Sequence, residues 1–164
     1  MSSLFTISTT VVSLLLGGYL YLFLHEYTHW IAGKIFSGDP NTLYDSWGPL
    51  PQPYAVEYRN LSQMPNWGIR IAGISPHLIW MFVSLSYAAV AITVPDSTPI
   101  SIIAEILYSI PPLELVIITG ASLAGISVSP SDLVATFQPQ RYRMYTGRGF
   151  SHSDWADVLF RRRA

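Results

Sequence analysis

From Thr10 to Phe36 the chain is apolar except for His25, Glu26, His29 and Lys34. As a helix this run is about 40 Å long, enough to cross a hydrocarbon core of about 30 Å. A stretch of this length and polarity has few folded solutions other than a membrane span. It lacks the basic start and the small-residue cleavage pattern of a secretory leader, and reads as a retained span. Composition agrees: half of the residues are apolar and 12% are charged, roughly half the charged share of a soluble domain.

A second apolar run extends from about Trp67 to Val94, broken only by Arg70 and by the pair Pro76 and His77. Between the two runs, Gly38 to Asn66 is rich in Gly, Pro, Asp and Asn, which puts it outside the bilayer core, with Tyr54 to Tyr58 as a short strand. Ile100 to Phe137 is apolar but cut by Pro111, Pro112 and Pro130, so it is not one straight helix. Ile100 to Ile110 makes a helix of only about 17 Å, too short to cross, and reads as interfacial or re-entrant. The third span is then roughly Leu113 to Val128. The expected fold is an all-α membrane protein of about three transmembrane helices plus that short interfacial or re-entrant helix, with a small cytoplasmic loop and tail. Residues 1–137 form the membrane-embedded core and 138–164 an arginine-rich cytoplasmic tail.

Charge placement tests the layout, because cytoplasmic segments collect Lys and Arg. With three spans, all nine basic residues fall on one side: Lys34, Arg59, Arg70, Arg141, Arg143, Arg148 and Arg161 to Arg163. The reading is therefore a multi-pass protein with its N-terminus outside and its C-terminus cytoplasmic. The formal net charge of −1 shows no preference for nucleic acid, and the absence of cysteine removes disulfides, thiolate nucleophiles and Cys-based zinc sites.

Within the first span, His25-Glu26-Tyr27-Thr28-His29 reads H-E-x-x-H. Positions four apart on a helix differ by about 40° and about 6 Å, so both imidazoles reach one metal ion. Glu26, on the adjoining edge, is placed to take a proton from water that a zinc ion has acidified. Two histidines and a carboxylate in hydrocarbon cost several kcal/mol unless they pair, bind a metal or line a polar cavity. Membrane di-iron oxygenases need more histidines than the four present here. The longer H-E-x-x-H-x-x-G-x-x-H pattern is absent, since Ala32 and Ile35 occupy its later positions, so a third ligand comes from elsewhere.

Depth sorts the candidates Asp132, His77, Glu105, Glu114, His152 and the loop acids. His25 and His29 lie about 16 and about 10 Å from the cytoplasmic end of their helix. Asp132, after Ser129-Pro130-Ser131 at the broken end of the third span, matches that depth; Glu105 and Glu114 fall toward the outer face. Ser129-x-x-Asp132 is equally an ordinary helix-capping pattern, so both meanings stay open. His77 lies about 15 Å in from Trp67, level with His25. Its roles are oxyanion donor, substrate contact or alternate ligand, or a partner for a carbonyl freed by Pro76. His152, in the polar tail, reads as solvated.

These residues resemble the site-2-protease family of intramembrane metallopeptidases and the small multi-span zincin-type peptidases related to it. The resemblance covers Phe23 to Gly33 and Ser129 to Leu133. It implies zinc held by His25, His29 and Asp132 near the cytoplasmic side, with Glu26 catalytic, and hydrolysis of peptide bonds in a membrane protein or peptide substrate. Leu133 stands where the family commonly has Gly, and the family's Asn-containing loop is absent. No PDZ-like or nucleotide-sensing segment is present, so a regulator would be a separate protein. The alternative is a non-catalytic multi-span protein in which a structural metal or polar cluster braces the helices.

Overall fold

A computed structural model describes residues 3–45, 50–93, 111–146, 148 and 151–160. The elements run α1 (Ser3–Ile35), β1 (Pro40–Asp45), β2 (Gln52–Tyr58), α2 (Asn66–Thr93), α3 (Pro111–Ile126), α4 (Pro130–Phe137), α5 (Pro139–Tyr145) and α6 (His152–Phe160). Two helices are long and apolar enough to cross a membrane, over Ile7–Ile35 and Asn66–Val90. A third crossing is available if Leu115–Ile126 and Pro130–Phe137, bent by 54° at their break, count as one. The outward faces fit lipid rather than water: Leu15 is 70% exposed, Phe82 72% and Leu85 63%, an apolar display that soluble monomers rarely carry. The segment 100–110, expected to be interfacial or re-entrant, lies outside the described residues, as does Glu105.

Contacts fix the helix directions. Gly17 meets Val116 and Thr119, Leu20 meets Gly120, and His25 meets Ala124, so α1 and α3 run parallel. Trp80 reaches back to Leu24 and Thr28, and His29 to Ala72, so α2 is antiparallel to α1. This is the up-down-up path expected of a three-pass chain.

α1 ends in a left-handed turn at Ser37 (φ 60), where the Gly38 amide donates to Gly33 and the Ser37 amide to Lys34. These two bonds satisfy the Gly33 and Lys34 carbonyls in the last turn of the helix. The chain then forms an antiparallel hairpin, so the all-α expectation is corrected by a two-stranded sheet. The strand expected at Tyr54 to Tyr58 is present and starts at Gln52; its partner β1 carries too little alternation to announce itself. Leu43 pairs with Ala55 and Tyr44 with Pro53, leaving Tyr54 as a bulge.

The hairpin folds back beside α1, where the Tyr19 hydroxyl donates to the Pro51 carbonyl at 2.9 Å. Strand pairing satisfies part of its backbone, which lets a polar-looking segment lie against an apolar helix. Its base is pinned by Tyr58, whose ring lies so close to Gly33 that no Cβ fits there. The Tyr58 hydroxyl donates to the His29 carbonyl at 3.1 Å. Burial pushes this phenol well above its usual range, so it stays a donor.

Beyond residue 137, α5 and α6 turn inner faces to the core. Tyr142 and Trp155 stack with ring centroids 5.3 Å apart and are buried with Val158 beside Val134, Ala135 and Met64. Arg143 fastens α5 to the carbonyls of Leu61 and Met64. Arg141 and Gln138 donate to the Val158 and Leu159 carbonyls near the end of α6.

Candidate metal centre

One helix break and one proline decide how the histidines are held. A helical carbonyl normally accepts from the amide four residues on. The Ala72 carbonyl of α2 has no such donor, because residue 76 is proline. His29 Nδ1 uses that carbonyl at 2.7 Å. At the end of α3, where the chain breaks over 127–129, terminal carbonyls also lack helical donors. There Ala124 takes His25 Nδ1 and Gly125 takes His77 Nδ1, each at 3.1 Å. The sequence had offered the proline-freed carbonyl to His77; it goes to His29.

A carbonyl only accepts, so each Nδ1 carries a proton, and a neutral ring held this way presents its Nε2 lone pair to the cluster. This is the orientation in which metal-ligating histidines are held by an outer partner. The Nε2 atoms of His25 and His29 are 3.2 Å apart. Two lone pairs at that separation repel unless a cation lies between them.

Asp132 supplies negative charge. Its Oδ1 is 3.3 Å from His29 Nε2 and its Oδ2 3.5 Å from His25 Nε2. His25, His29 and Asp132 form a buried group with ligand atoms all within 4.8 Å of one another, and it can hold a metal ion. The three separations fit the donor chemistry: bonds of about 2.0 to 2.1 Å around a tetrahedral zinc place ligand atoms about 3.3 Å apart. When bound, such an ion polarises a carbonyl and makes water a better nucleophile at neutral pH.

The two meanings of Ser129-x-x-Asp132 hold together. Ser129 caps α4, its hydroxyl accepting from the Asp132 amide at 3.2 Å, while Asp132 Oδ2 accepts from the Ser129 amide at 3.1 Å. A carboxylate has acceptor sites to spare, and the capping bond sets its rotamer while the remaining sites face the imidazoles.

The other candidates separate by position. Glu26 is partly exposed and borders a cavity of about 730 Å³ that also reaches His25, His29 and Asp132. β2 forms one wall; Tyr142, Tyr145 and Trp155 belong to another. His77 is buried beside Asp132, its Nε2 3.6 Å from Oδ2, but it does not line the cavity. The side chains of Glu114 and His152 lie outside the described residues.

Sequence reading missed Tyr58, for which no local signal exists, and the tail wall. A lone Trp155 in a polar, arginine-rich tail was the available hint. Trp80 was missed too; its indole donates to Thr28 Oγ1 at 2.9 Å and to the Leu24 carbonyl at 3.1 Å, locking α2 against the motif helix.

Comparisons of the chain with protein-family models, with curated proteins and with solved structures find no match.

Proposed function

We propose that this chain is a membrane-embedded zinc metallopeptidase of the H-E-x-x-H type, with His25, His29 and Asp132 as ligands and Glu26 as the proton-transferring carboxylate. The observation that carries the reading is the convergence of two imidazole Nε2 atoms and one carboxylate, all buried, beside a cavity that Glu26 borders. A purely structural polar cluster has no need of a glutamate facing open volume. The resemblance to the site-2-protease family points the same way.

A peptide substrate suits the cavity's shape. Side chains alternate between faces along a strand, yet five consecutive residues, Tyr54 to Tyr58, border the cavity, so β2 presents its edge to it. Among the described residues that edge pairs with no other strand. An extended peptide can hydrogen-bond along such an edge, which also unwinds any helix that would hide its carbonyls. The carbonyl to be attacked then lies near the His25–His29 pair. Glu26 accepts a proton from the attacking water and returns it to the departing amine. The enclosing helices and tail restrict bulk water.

The test is Glu26→Ala in zinc-loaded protein, assayed on unfolded polypeptides and on model single-span peptides. Hydrolysis should fall at least about a hundredfold, with zinc content unchanged because Glu26 is not a ligand. Cleavage at the wild-type rate by the variant contradicts the mechanism.

A further inference from the structure

His77 has an unexplained atom. Its Nδ1 donates to the Gly125 carbonyl at 3.1 Å, so in the neutral ring Nε2 is an acceptor. That Nε2 is fully buried and has no hydrogen-bond partner. The group it faces, Asp132 Oδ2 at 3.6 Å, is also an acceptor. A buried Nε2 with no hydrogen-bond partner, set against a carboxylate, is costly with a neutral ring unless a cation serves both. The ring stands edge-on to His25, centroids 5.3 Å apart, so the orphaned lone pair belongs to the same cluster.

We propose that His77 is a third imidazole ligand of the metal centre, giving a donor set of His25, His29, His77 and Asp132. Its outer partner is of the same kind as theirs: the Gly125 carbonyl follows directly on the Ala124 carbonyl that orients His25. It enters from the protein interior, since it is absent from the cavity wall that His25, His29, Glu26 and Asp132 share. The cavity side stays free, which a zinc able to expand to five ligands permits. His77 stands just outside the tight trio, its Nε2 3.6 Å from Asp132 Oδ2. The inference rests on the metal centre proposed above and not on hydrolysis.

X-ray absorption spectroscopy of the full chain loaded with zinc in detergent counts the imidazoles. Three are expected for wild type and two for His77→Leu, with zinc affinity by chelator competition at least about tenfold weaker in the variant. His77→Gln, which keeps a polar atom in the buried site, gives the same count if the leucine variant misfolds. Two imidazoles in wild type overturn the proposal, even if His77→Leu weakens zinc, because a residue that merely orients Asp132 does the same. Wild type that binds no zinc overturns both the centre and this ligand. Three imidazoles without Glu26-dependent cleavage leave the ligand standing and remove the peptidase.

Discussion

The Ala72 carbonyl lacks its helical amide donor because residue 76 is proline, and it accepts instead from His29 Nδ1 at 2.7 Å and from the Ser75 hydroxyl at 3.1 Å. A proline inside a helix costs about 3 kcal/mol relative to alanine, so its retention within the motif's partner helix has a local function here: it aims an imidazole. Pro76→Ala restores an amide that competes for this carbonyl. Zinc should bind about 10- to 100-fold more weakly in a protein no less resistant to heat, read by chelator competition beside a thermal melt; unchanged affinity contradicts the account. The sequence displayed the ligand types plainly, since H-E-x-x-H spacing is a property of any helix. It could not display which carbonyl each ring would use, because that depends on which helix faces which. Asp132 was legible in depth, but its capping pattern recurs at Ser151 and Asp154, where Asp154 is fully exposed and far from the cluster in sequence. Only burial against α1 separates the two copies.

Asp132 reaches the histidines because α4 lies against α2 at Gly73. A Cβ there would stand 2.9 Å from both Ala135 Cβ and the Asp132 carbonyl, so no side chain fits without moving α4. Gly73→Ala should cost about 1 to 3 kcal/mol as overpacking and weaken zinc by displacing Asp132; denaturant unfolding and metal titration on one preparation check both. Full zinc affinity in this variant shows that the α2–α4 contact does not set the carboxylate. Helices were the readable elements, since long apolar runs bounded by Pro and Gly leave little choice. The hairpin was half readable: Tyr54 to Tyr58 alternates, whereas Pro40–Asp45 becomes a strand only because β2 and α1 are there to receive it. The return of the hairpin along α1 and the packing of α6 depend on long-range contacts through Tyr19 and Trp155, which no local pattern encodes.

Three helices running up, down and up bring the ends of α1 and α3 and the start of α2 to one end of the molecule. The described basic residues Lys34, Arg59, Arg70, Arg141, Arg143 and Arg148 follow or precede those ends. The positive-inside rule predicts that this end faces the cytoplasm, and with no native cysteine, Asn60→Cys gives a clean probe. An impermeant maleimide should label it in inside-out vesicles and not in right-side-out ones; the reverse pattern inverts the orientation. Beneath orientation and chemistry lies the claim that His25, His29 and Asp132 bind one metal ion. Metal analysis of purified wild type beside His29→Ala and Asp132→Ala tests it most directly: about one zinc per chain in wild type and markedly less in either variant is predicted when both residues are ligands. Asp132→Ala carrying the same zinc as wild type, or wild type carrying none after growth with added zinc, contradicts it.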